Sequence, residues 1–286
     1  MMNILPLRTE CEGRAARNRK DRARLRALIF DVDGTLADTE ETHRQAFDYA
    51  FLALDLGWAW PKPLYGELLQ TSGGRERIER FIDMLPLPQD EKLRLAALAP
   101  AIHREKTRLY TELVADGRCP LRPGVVRLIR EARSAGMLLA IASTTSAQNV
   151  DALLARHLGP GAMRMFDAVA CGDHVRRKKP APDIYHLALA MLGLPAAACV
   201  AFEDSSNGVC AAKAAGLFTI VTPSSWTTGE RFPRADLELP HLGDESIPLP
   251  DDIALALGAK WLDLAVLRRI HGSASYGSMT PDDGRS

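Results

Sequence analysis

The chain of 286 residues predicts an α/β fold, a parallel sheet interleaved with helices and interrupted by a helical insertion. Three observations point there. Short unbroken apolar runs, Ala27-Leu28-Ile29-Phe30 being the first, read as strands buried on both faces. From Pro123 onward such runs alternate with short helical stretches, the pattern of right-handed strand–helix–strand crossovers. Between residues 41 and 118 nothing reads convincingly as a strand, and apolar residues recur at three- and four-residue spacing instead. The length allows one large domain or two smaller ones.

Residues 1–24 are Arg-rich with little apolar periodicity and read as a disordered tail. Glu10, Glu12 and Asp21 set them apart from a transit peptide, which is poor in acids. The strand 27–30 follows. After Glu40 the spacing of Ala46, Phe47, Ala50, Phe51 and Leu54 is helical until Pro61 and Pro63 break it. Ile78, Phe81, Ile82 and Leu85 repeat that spacing, closed by Pro86 and Pro88. Residues 90–115 hold at least one more helix. Beyond Pro123, 125–135 is an amphipathic helix closed by Gly136. A strand at 137–142, a helix at 150–158 and a short strand from 168 to 170 come next. Helices at 182–192 and 208–215 alternate with strands at 199–202 and 218–221. Residues 253–270 read as a last helix, and those from about 272 as a disordered Gly/Ser tail.

Lys+Arg and Asp+Glu are both 36, so net charge gives no sign of a nucleic-acid partner. A composition of 47% hydrophobic and 25% charged residues fits a soluble globular enzyme, expected as a monomer. Cys11, Cys119, Cys171, Cys199 and Cys210 form no Cys-x-x-Cys pair. An odd, scattered set reads as reduced thiols, which predicts a cytoplasmic setting. No apolar run approaches the ~20 residues that span a bilayer, so no membrane association is expected.

Chemistry-bearing residues gather at strand ends, where open α/β sheets bind ligands. Asp31 and Asp33 lie two apart on an extended segment and can point the same way. Their repulsion would raise one pKa, and Mg2+, which prefers hard oxygen ligands, eases it. One carboxylate can then attack phosphorus while the other handles a proton. Capping of a surface turn is the alternative, against which the preceding apolar strand argues. Ser143 and Thr144 follow the strand 137–142, and they serve equally as a phosphate cradle or a helix cap. The basic run Arg176-Arg177-Lys178-Lys179 stops at Pro180 and Pro182, which stiffen the loop. A lysine fixed there can neutralise phosphoryl and carboxylate charge together. Glu203 and Asp204 end the next strand; capping would explain Asp204 but not Glu203 beside it.

Asp31-Val32-Asp33-Gly34-Thr35-Leu36, Ser143-Thr144, Lys179-Pro180-Ala181-Pro182-Asp183 and Glu203-Asp204 resemble, in order and spacing, the motifs of the haloacid dehalogenase superfamily of phosphotransferases. The resemblance covers residues 26–222. It implies a Rossmann-like parallel-sheet core, residues 25–40 and 119–271, with an all-helical cap at 41–118. It implies an aspartyl-phosphate on Asp31, with Asp33 as general acid/base and Lys179, rather than Lys178, as the functional lysine. It also implies Mg2+ held by Asp31, Asp33, Glu203 and Asp204, with Asp204 a direct ligand and Glu203 direct or through water. The second Asp argues against a dehalogenase.

In the helical insertion, Thr71-Ser72-Gly73-Gly74-Arg75-Glu76-Arg77 offers glycine amides and two arginines that can fork onto phosphate oxygens. Read plainly, it is a helix start with exposed arginines. The segment is similar to the Gly-Gly-Lys-Glu-Arg cap motif of CbbY-like phosphatases, which act on xylulose 1,5-bisphosphate, with Arg75 in place of the Lys. Thr39-Glu40-Glu41-Thr42-His43 and Ser143-Thr144-Thr145-Ser146 resemble that group too. The resemblance implies a small-molecule sugar (bis)phosphate bound by Glu40, His43, Gly74, Arg75, Arg77, Ser143 and Thr144. His43 alone is equally a surface histidine. Alternatives are a β-phosphoglucomutase-like transferase, a phosphoglycolate-type phosphatase and a non-catalytic sugar-phosphate regulator. The intact Asp31, Asp33, Lys179 and Asp204 disfavour the regulator.

Overall fold

The computed structural model describes residues 24–277, with side chains to residue 273. Expectations for residues 1–23 and 278–286 lie outside the described residues. Six parallel strands form one Rossmann-like sheet: β1 (Ala27–Phe30), β2 (Leu138–Ala142), β3 (Ala168–Ala170), β4 (Cys199–Glu203), β5 (Phe218–Val221) and β6 (Leu237–Glu238). Their order is β3-β2-β1-β4-β5-β6. The chain runs outward from β1 to β3 and returns to β4 on the other side of β1. Strand order therefore reverses between β1 and β4, and a crevice opens at their carboxyl ends.

Side-chain alternation gives the sheet two unlike faces. Leu28, Phe30, Leu139, Ile141, Val200, Phe202 and Ile220 enter one core, where Phe30 and Phe202 stack at 4.7 Å. Helices α6 (Val125–Ser134), α7 (Ala147–Leu158) and α11 (Leu264–Gly277) cover that face. Ala27, Ile29, Ala140, Ala142, Cys199 and Ala201 enter the other. These small residues admit α8 (Asp183–Leu192) and α9 (Ser206–Ala214), which press Ile184, Tyr185, Ala211 and Ala212 onto the strands.

Between β1 and α6 the chain forms only helices: α1 (Glu40–Ala53), α2 (Lys62–Leu68), α3 (Gly74–Met84), α4 (Gln89–Ala96) and α5 (Ala99–Ala115). They enclose a separate apolar cluster of Phe47, Phe51, Trp60, Tyr65, Ile78, Phe81 and Ile102. On the same helices Ala46, Tyr110, Leu113 and Val114 belong to the sheet's core, so α1 and α5 link the two clusters. Among the described residues no helix is long and apolar enough to cross a membrane.

Several boundaries differ from expectation, each for a local reason. Residues 253–270 form two helices, α10 (Asp251–Leu257) and α11, because Gly258 turns left-handed with φ 67° and ends the first. The second continues to Gly277, past the expected start of a tail. Residues 90–115 also divide in two, with Pro100 near the start of α5. Helices α7 and α9 start earlier than apolar spacing suggests, since Ser146 caps Asn149 N and Ser205 caps Gly208 N. The two-residue β6 is too short to leave a pattern.

Trp60 touches Phe47, Phe51, Tyr65 and Phe81, with ring centroids 4.5–6.0 Å apart. Trp60→Ala is expected to cost about 3–5 kcal/mol by leaving a cavity. Urea titration checks this, and a loss below about 1 kcal/mol would contradict the packing described.

Candidate active site

Parallel pairing of β1 with β4 sets Phe30 beside Phe202, so Asp31 and Glu203 emerge next to each other. Lys179, from the loop before α8, reaches both: Nζ is 2.6 Å from Asp31 Oδ1 and 2.6 Å from Glu203 Oε1. The Tyr185 hydroxyl donates to Glu203 Oε1 as well. Asp204 completes the group, and Asp31, Glu203 and Asp204 each bring an oxygen within 4.8 Å of the others. Gly34, at φ 82°, makes room: a Cβ there would lie 2.0 Å from Asp204 Oδ2. Buried Arg122 ties the surrounding loops by donating to the carbonyls of Gly34, Thr222, Pro223 and Pro240.

Three buried carboxylates thus meet around one ammonium that bonds to two of them. Burial raises the Asp31 pKa to about 7, with Glu203 and Asp33 adding and Lys179 opposing. Burial, then the charges of Asp31 and Glu203, push Asp204 well above the carboxylate range. Burial works against the Lys179 charge, but Asp31 and Glu203 outweigh it and raise its pKa. Excess negative charge on convergent hard oxygens fits a divalent cation such as Mg2+.

Asp33 stands outside this triad. Its Oδ1 accepts a hydrogen bond from Thr39 Oγ1 at 2.7 Å and lies 2.8 Å from His43 Nε2. Lys106 Nζ is 2.6 Å from His43 Nδ1. Burial favours a neutral His43, and a Lys106 N–H donating to Nδ1 leaves Nε2–H to donate to Asp33. Burial and then the Lys106 charge lower the His43 pKa, in keeping with that state. Burial brings Lys106 down to about 7. Burial alone would raise Asp33, but His43, Thr39 and Lys106 hold it well below the usual carboxylate range. The Asp33 carboxylate thus bonds to Thr39 and His43 and lies outside the group formed by Asp31, Glu203 and Asp204.

The cavity at these strand ends is lined from both sides. From the core come Asp31, Asp33, Thr144, Thr145, Asn149, Lys179 and Asp204. From the helical insertion and its approach come Glu40, His43, Gly74, Arg77, His103 and Lys106. Ser143 is buried, accepts from Thr145 N at 3.2 Å and does not line the cavity. Lys178 turns aside to the Gly172 and Val175 carbonyls.

The two arginines part company. Arg77 is buried; its Nη1 donates to Tyr65 OH at 2.7 Å, and Tyr65 OH donates to Glu40 Oε2 at 2.6 Å. Arg75 has a 57% exposed side chain, pairs with Glu79 and does not line the cavity. Arg75 thus lies outside the cavity that Arg77 lines, since positions i and i+2 lie far apart around the axis. Sequence reading missed Lys106, although Ile102, Lys106, Tyr110 and Leu113 place a lysine on an apolar helical stripe. Tyr65 and Trp226 left no such signal.

A family model described as haloacid dehalogenase-like hydrolase matches residues 25–216. Protein CbbY from a plasmid of Cupriavidus necator is 47% identical over 247 residues, which cover 86% of this chain and 97% of that one. The crystal structure of CbbY from Rhodobacter sphaeroides in complex with phosphate matches at TM-score 0.70 and 48% identity, over 76% of this chain and 94% of that one. A mutant of that protein in complex with xylulose-(1,5)bisphosphate matches at TM-score 0.71 and 46% identity, over 78% and 98%.

The acid triad sets a pH dependence. Asp31 and Asp204 have folded-state pKa values above those of the unfolded chain. Their contribution to stability is whole below the unfolded value, near 3.9, and is lost as pH rises through the folded one. In EDTA the melting temperature should fall between pH 5 and 8. Asp204→Asn takes one of the two raised carboxyls out of this titration and should make that fall shallower. Thermal melts in EDTA decide it, and an equally steep fall for the variant would refute the charge conflict.

Proposed function

This chain belongs to the haloacid dehalogenase-like hydrolases, and from that membership we propose a Mg2+-dependent phosphatase of a sugar bisphosphate, xylulose 1,5-bisphosphate foremost. The observation that carries the substrate reading is a buried cation at each side of one cavity. Lys179 serves the reacting group. Arg77 stands across from it on α3, with its Nε lacking any hydrogen-bond partner although buried. An unpaired guanidinium N–H is costly unless a ligand accepts it, and a second phosphate supplies such oxygens. The complex of a related CbbY with xylulose bisphosphate supports the same substrate.

The mechanism follows from the side chains. Lys179 holds Asp31 Oδ1, and the other carboxylate oxygen attacks phosphorus, giving an aspartyl-phosphate as the bond to the sugar oxygen breaks. Asp33 gives a proton to that departing oxygen. In the second half, water attacks the phosphoryl group and returns a proton to Asp33, freeing Asp31 and inorganic phosphate. The arriving phosphate's negative charge raises the proton affinity of Asp33, which the free site holds low. His43 and Thr39 fix its Oδ1 in place for both transfers. Bound at Asp31, Glu203 and Asp204, Mg2+ would neutralise charge on the carboxylates and the phosphoryl group.

Asp31→Asn should abolish turnover while the circular dichroism spectrum and melting curve stay native, since an amide forms no acyl phosphate. Phosphate release near the unmutated rate from the verified variant would remove Asp31 as nucleophile.

Arg77→Ala should lower kcat/KM for xylulose 1,5-bisphosphate about ten- to hundredfold, the worth of one charge-assisted hydrogen bond of roughly 1.5–3 kcal/mol. Arg75→Ala should change it by no more than about twofold, as an exposed pair is worth little. Phosphate release against a pentulose monophosphate provides the control. Equal losses on both substrates in Arg77→Ala would argue against a second-phosphate site.

A further inference from the structure

We infer that Trp226, carried by the core, is a positioning residue for Tyr65 and Arg77 and thereby sets the preference of the site for substrates with a second anionic group. This rests on the substrate reading above. The residue lies in the loop after β5. That loop is a tight turn: Ser224 N donates to Thr227 Oγ1 at 2.8 Å, and Thr227 N donates back to Ser224 O at 3.1 Å. It is fastened to the core beside the acid triad. Thr227 Oγ1 lies 3.4 Å from Asp204 Oδ2, and Glu230 Oε2 accepts from Ser206 N at 2.6 Å.

From this fixed turn the indole crosses to the helical insertion and packs against its apolar cluster. Its ring meets Tyr65 edge-on, with centroids 5.3 Å apart at 79°. Tyr65 is the residue whose hydroxyl joins Glu40 to Arg77. One aromatic contact therefore links the turn beside Asp204 to the guanidinium across the cavity. A second link runs alongside, from Asn207 Nδ2 to the Gln70 carbonyl at 2.9 Å, just ahead of the Gly73-Gly74 start of α3. Remote contacts of this kind direct binding energy into the arrangement of the reacting groups.

A tryptophan that merely covers an apolar surface would affect all substrates alike. Trp226→Ala should instead lower the ratio of kcat/KM for xylulose 1,5-bisphosphate to that for 4-nitrophenyl phosphate about tenfold, the scale of one lost aromatic contact. Trp226→Phe, which keeps a ring against Tyr65, should stay within about twofold of wild type. In an Arg77→Ala background Trp226→Ala should leave the ratio unchanged, since the two residues act as one unit. An unchanged ratio in the single variant, or equal losses in the Phe and Ala variants, overturns the inference; so does a full tenfold further loss in the Arg77→Ala background. Small-angle scattering with Mg2+ and inorganic phosphate tests it without turnover. Trp226→Ala should have a larger radius of gyration than wild type, and superimposable curves count against the role. Wild-type enzyme that cleaves 4-nitrophenyl phosphate but not xylulose 1,5-bisphosphate would sink the substrate reading, leaving the scattering result to judge Trp226.

Discussion

The active site depends on one buried ammonium. Lys179 lies 2.6 Å from both Asp31 and Glu203, and without it the ends of β1 and β4 would bring together carboxylates with no counter-charge. Coulomb repulsion at such distances in a poorly solvated site would cost several kcal/mol, of order 4 kcal/mol per pair at an effective dielectric near 20. The sheet supplies the rigidity that keeps the charges there. Both strands are buried on both faces, and the Phe30–Phe202 stack lies immediately behind the two acids. One lysine does not balance three carboxylates, and the residual negative charge gives the site its fitness for a divalent cation.

Asp33 shows how the helical insertion takes part in chemistry located on the sheet. The residue belongs to the loop after β1, yet its Oδ1 is held by Thr39 and His43, at the entry to α1, and His43 is held in turn by Lys106 of α5. With Lys106 Nζ donating to Nδ1, the neutral imidazole presents Nε2–H to the carboxylate. Asp33 is thus oriented by the helices that cover the site, while Asp31 is oriented by Lys179 of the core. The two carboxylates, two residues apart in the chain, are given unlike environments, and opposite pKa displacements follow.

A similar division separates the two arginines of α3. Gly73 and Gly74 open α3 at the cavity wall, and the helix then carries Arg77 inward and Arg75 outward. Arg77 shares its burial with Tyr65 and Glu40, and its buried Nε has no hydrogen-bond partner. Of the two arginines, only Arg77 lines the cavity.

The sequence by itself determined the elements and the residues that ride on strand ends. Apolar runs buried on both faces mark β1, β2, β4 and β5, and the polar residues that stop them, Asp31 and Glu203-Asp204, are the acids that meet. The choice of Lys179 over Lys178 was legible only through resemblance of the Lys-Pro segment to a known motif. Tertiary structure decided the rest. Which carboxylates converge depends on β1 pairing with β4, a contact between residues about 170 positions apart. Lys106 and Trp226 reach the cavity, with Tyr65 packed behind it, because separate helices and a core loop pack around it, and only the apolar stripe around Lys106 marks any of this locally. The fates of Arg75 and Arg77 follow from the angle between helix positions once α3 has a fixed side facing the cavity. Local patterns record what a residue does to its own strand or helix, whereas a site made of several elements exists only after long-range packing has placed them.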